Sequence, residues 1–183
     1  MNPFDFLGVV RDTLRQALAW LEDPDSSVQL RYLARDLVHP LLIHLPDERA
    51  VTDVLAMLHR AIDRGDMLVM PLVYEIPRDL VDGREASAPA LLPLGNHAMA
   101  AGAIEPLIVI AHAAMLARWM VVPASWIRII LEAEVDPDPR DLVVGIVDDW
   151  LRREETLAAD VAEVLRRRPA INEKLLCPSE SPF

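Results

Sequence analysis

The chain has 183 residues, enough for one sizeable hydrophobic core and too few for two independent ones. A hydrophobic share of 52% excludes a disordered chain. The formal net charge of −11 argues against sequence-independent nucleic-acid binding and against docking on an anionic membrane, since both need a basic surface.

From the N-terminus, Asn2-Pro3-Phe4-Asp5 combines an N-cap residue, a proline at the first helical position and a first-turn carboxylate. The spacing of Leu7, Val10, Leu14, Leu18 and Leu21 then predicts an amphipathic helix over residues 3–22. Leu30, Leu33, Leu37 and Leu41 give a second stripe, which Pro40 should kink or end. The intervening AWLEDPDSSVQLRYLARDL resembles the turn and second helix of a HEAT repeat. No second copy lines up with it, so it reads as a single αα-hairpin. Val51, Val54, Leu58 and Ile62 predict a third helix, closed by Gly65.

Residues 66–93 break the pattern with short apolar runs around Pro71, followed by Pro77, Pro89 and Pro93. That composition predicts an irregular or short β insertion, and a long insertion in a compact domain is a candidate contact surface. The most apolar stretch, AMAAGAIEPLIVIAHAAMLARWM, has the length of a membrane span. Glu105, Pro106 and His112 within it favour instead a buried central helix kinked at Pro106. Another helix starts at Pro123 with Trp126, Ile127, Ile130 and Leu131. A last long one is predicted from Pro139 to about Arg168, its terminal arginines complementing the helix dipole. The fold expected is an all-α bundle of about six helices in one domain, residues 1–176, with a loose tail at 177–183.

No phosphate-binding glycine loop, H-E-x-x-H, G-x-S-x-G or C-x-x-C motif occurs, and no cofactor is expected. Cys177 is the sole cysteine, which rules out an internal disulfide. With no basic segment ahead of an apolar core at the N-terminus, the expected location is cytoplasmic. Arginine supplies every basic side chain except Lys174, a bias typical of GC-rich bacterial genomes.

Three constellations merit placement. His39, His59, Glu105 and His112 form a candidate metal set, because a bundle can bring histidines and carboxylates from facing helices together. His97, Arg118, Trp119, Trp126 and Arg128 could line a pocket for a flat or anionic ligand. Arg31 with Arg35, and Arg11 with Arg15, are like-charge pairs one turn apart; unless offset they await an acidic group, and Tyr74 would anchor a partner apolarly. The composition thus points to a non-catalytic bacterial protein that binds another protein, as an adaptor, regulator or immunity-type inhibitor. Its acidic surface suits a partner with a basic face, and self-association into a homo-oligomer is compatible with it. A metal-dependent helical enzyme and a small-molecule sensor are the alternatives.

Overall fold

The computed structural model describes residues 3–45, 47–83, 90–116, 122–134, 140–153 and 158–176. Among them are ten helices and no strand: α1 (Pro3–Glu22), α2 (Val28–Ile43), α3 (Glu48–Arg64), α4 (Met70–Gly83), α5 (Leu91–Ala100), α6 (Ile104–Leu116), α7 (Ala124–Ala133), α8 (Asp141–Arg153), α9 (Ala159–Arg166) and α10 (Pro169–Leu176). The all-helical expectation holds. Both the count of about six helices and the β insertion need correcting.

Helices α1 and α2 form the anticipated hairpin. Asp23 organises the turn by accepting hydrogen bonds from the Asp25 N–H and the Ser26 hydroxyl, at 2.9 and 3.0 Å. Ser27 caps α2, its hydroxyl accepting the Leu30 N–H at 3.2 Å. The core stripe of α2, however, is Ala34, Val38 and Leu42 rather than the leucines one position earlier. Leu37 and Leu41 pack at the core's edge and Leu33 is 54% exposed. One residue is a rotation of about 100° on a helix, enough to move a stripe from centre to flank. Pro40 lies inside α2 without ending it.

Helix α3 follows its expected course, with Val51, Val54, Leu58 and Ile62 buried. Gly65 ends it in the left-handed region at φ 58°, a conformation glycine adopts without a Cβ penalty.

After a turn at 66–69, the described part of residues 66–93 is helical. Asp66 turns the chain: its carboxylate accepts the Leu68 N–H and its carbonyl accepts those of Val69 and Met70. Leu72, Val73 and Ile76 then bury one side of α4. Pro71 and Pro93 sit within the first three positions of α4 and α5, where the backbone N–H has no intrahelical acceptor to lose. Prolines read as breakers are therefore mostly starts.

The apolar stretch is likewise two helices. The break lies at Gly102, φ 67°, and Pro106 occupies the third position of α6. Helix α6 is central, packing against α4, α5, α7 and α8 with Leu107, Ile108, Ile110, Ala111, Ala113, Ala114 and Met115 buried. Among the described residues no helix is long and apolar enough to cross a membrane. The single helix expected over 139–168 is divided into α8 and α9, which bury Val147, Val161 and Leu165 as the periodicity requires.

Two indoles lock the C-terminal half. Trp126 is fully buried and donates to the Asn96 side-chain oxygen at 2.8 Å. Trp150, also fully buried, donates to the Val122 carbonyl at 3.0 Å. In each case the apolar ring fills core while its one donor is satisfied.

Candidate functional site

Helix α2 has a second face. Tyr32, Arg35, Asp36, His39 and Ile43 recur at helical spacing away from the Ala34–Val38–Leu42 stripe, and α4 lies alongside. Arg35, Asp36, His39 and Pro40 from α2 and Pro71, Leu72 and Glu75 from α4 enclose a groove of about 290 Å³. Arg35 donates from Nε and Nη2 to Asp36 Oδ1, at 2.8 and 2.6 Å, and its guanidinium lies 5.1 Å from the Tyr32 ring centroid. Opposite, His39 Nδ1 lies 4.0 Å from Glu75 Oε2. Tyr74 stands on α4 next to Glu75 and is 39% exposed. Of the three expected partner-binding residues, Arg35 and Tyr74 are thus on or beside this groove. Arg31 is committed elsewhere, with Nη2 2.5 Å from Asp66 Oδ2 and Nε donating to the Leu21 carbonyl. Arg11 is similarly held by Asp47, and Arg15 lies 3.6 Å from Asp12.

The candidate metal residues are dispersed. His39 belongs to the groove. His59, on α3, packs edge-to-face on His97 of α5, ring centroids 4.6 Å apart. Glu105 accepts from Arg140 Nη1 at 2.7 Å. His112 is exposed on α6. No three His, Cys, Asp or Glu side chains among the described residues form a metal-holding group.

The expected ligand pocket is divided in the same way. Arg118 and Trp119 lie outside the described residues. Trp126 is core, and Arg128 pairs with Glu132 and Asp160. His97 Nε2 approaches Asp63 Oδ1 to 2.7 Å, but the contact is bent away from hydrogen-bond geometry and Nε2 is left without a hydrogen-bond partner. Burial, and then the neighbouring His97, push the His59 pKa below its ordinary value, against the opposing pull of Asp63. Although His112 is exposed by surface area, partial desolvation of its ring, followed by the charge of Arg78, lowers its pKa as well.

The sequence reading missed one ionic cluster altogether. Glu134, at the end of α7, is only 4% exposed, yet accepts the Arg140 backbone N–H at 2.8 Å and Nε at 2.7 Å, with Nη2 also in contact. The hydrogen bonds that Arg140 donates to Glu134, and then to Glu105, raise its pKa. Every contact here ties the ends of α6, α7 and α8 together, so the cluster is a structural clamp. A short acid–base spacing across a proline-containing connection is the only signal that could have announced it.

The architecture is that of an all-helical domain with a mixed-charge groove at one side. Compared with models of known protein families, with curated proteins and with solved structures, the chain matches none.

Proposed function

We propose that the chain is a non-catalytic protein-binding protein, an adaptor, regulator or immunity-type inhibitor, which docks through the outer face of the α1–α2 hairpin and adjoining α4. One observation carries this reading: of the ten large apolar side chains exposed among the described residues, Phe6, Val9, Val28, Tyr32, Leu33 and Ile43 lie on the first two helices. Two more, Met67 and Tyr74, lie just before and on α4. Scattered exposed apolar residues need no explanation, but concentration on one hairpin is a mark of an interaction surface. The net charge of −11 selects a partner whose contact face is apolar at its centre and basic at its rim.

The test is capture from the native lysate by the tagged chain and by a Val9→Asp, Leu33→Asp variant. Both positions are more than half exposed, so the variant should keep its helical content and melting temperature. A stoichiometric protein retained by the parent and reduced at least ~10-fold by the variant is the expected result. Equal retention by both, or no protein retained by either, would overturn the proposal.

A further inference from the structure

We infer that the α2–α4 groove receives an arginine side chain from the partner protein. This deepens the protein-binding reading and rests on it. At about 290 Å³ the groove lies at the lower limit of pockets that enclose a free small molecule, and it is open at the surface, which suits one side chain carried by a larger partner. Its chemistry is two-part. Pro40, Pro71 and Leu72 offer apolar walls to an aliphatic stem, while the remaining lining can hold a cationic head.

Charge decides which head. Arg35 is already closed on Asp36, so that pair cancels. Glu75 has no arginine or lysine partner among the described residues, only His39 at 4.0 Å, and its side chain is 56% exposed. A carboxylate, with two oxygens in one plane, is matched best by paired donors in a fixed plane. Guanidinium supplies them, whereas ammonium is a compact point charge.

The test titrates the isotopically labelled full-length chain with N-acetyl-arginine amide and with its uncharged isostere N-acetyl-citrulline amide, following backbone amide resonances. The arginine compound should give saturable shifts confined to residues 32–43 and 70–78, and the citrulline compound should not. Glu75→Gln, an exposed and nearly isosteric change, should weaken the interaction ~10-fold, the scale of one charge-assisted hydrogen bond. Diffuse shifts, equal response to citrulline, or indifference to Glu75→Gln would overturn the inference. Those outcomes, with capture still lost in the Val9→Asp, Leu33→Asp variant, would leave the protein-binding reading standing; failure of that capture experiment removes the reading whatever the titration gives.

Discussion

A methyl group at Gly95 would lie 2.0 Å from Cη2 and 2.2 Å from Cζ2 of Trp126. Neither partner can yield: Gly95 is in the middle of α5 and Trp126 is fully buried. Gly95→Ala is therefore an overpacking change and should cost ~3 kcal/mol, read as a lowered urea midpoint with unchanged slope. Asn96→Ala acts on the same ring more gently. It removes the indole's acceptor at a position where water can reach, so about 1 kcal/mol is expected from the same measurement. Comparing the two separates shape from polarity at one side chain.

Backbone chemistry governs the helices in a comparable way. Gly102 holds φ 67° at the junction of α5 and α6, and Gly102→Ala should destabilise by about 1 kcal/mol because an L side chain is strained there. No heavy atom lies near a Cβ built at that position, so the loss should come from the backbone alone, visible in thermal unfolding. The element scale is also where the sequence was most readable. The stripes of α1 and α3 and the Gly65 cap follow from apolar spacing and cap grammar, both local properties of the chain. Proline was harder. A proline in the first turn and a proline that breaks a helix are the same residue, and only the partner surface for Leu72, Val73 and Ile76 decides between them. The α2 stripe failed for a related reason: leucines outweigh Ala34 and Val38 in a pattern search, but close packing of α1 on α2 favours the smaller side chain at the centre. For the candidate site, residue types were legible at Arg35, His39 and Tyr74. The juxtaposition with Glu75 was not, since it depends on how α2 and α4 pack across more than thirty residues of chain.

For the whole molecule, pH is the most direct probe. His59 and His112 both have pKa values below the ordinary 6.5 in the folded state. Unfolding restores their affinity for protons, so the unfolded chain binds more of them as pH drops. Their contribution to stability is complete above about pH 6.5 and is lost as pH falls through the folded-state values. Urea midpoints measured from about pH 8 down to about pH 5 should decline, and His59→Gln should flatten that decline. A midpoint that rose on acidification, or a slope untouched in the variant, would contradict the burial and charge account of the α3–α5 histidine pair.

The Gly95–Trp126 contact has a consequence for observation as well as for energy. Aromatic rings shift the magnetic resonance of protons held against them, and the α-protons of Gly95 are held against this one by the fold alone. Their signal should stand away from the ordinary glycine region in the native chain and return to it on unfolding. Surface variants such as Val9→Asp and Glu75→Gln can then be checked for an intact interior from a single resolved line, in the same spectrum that reports what their surface binds.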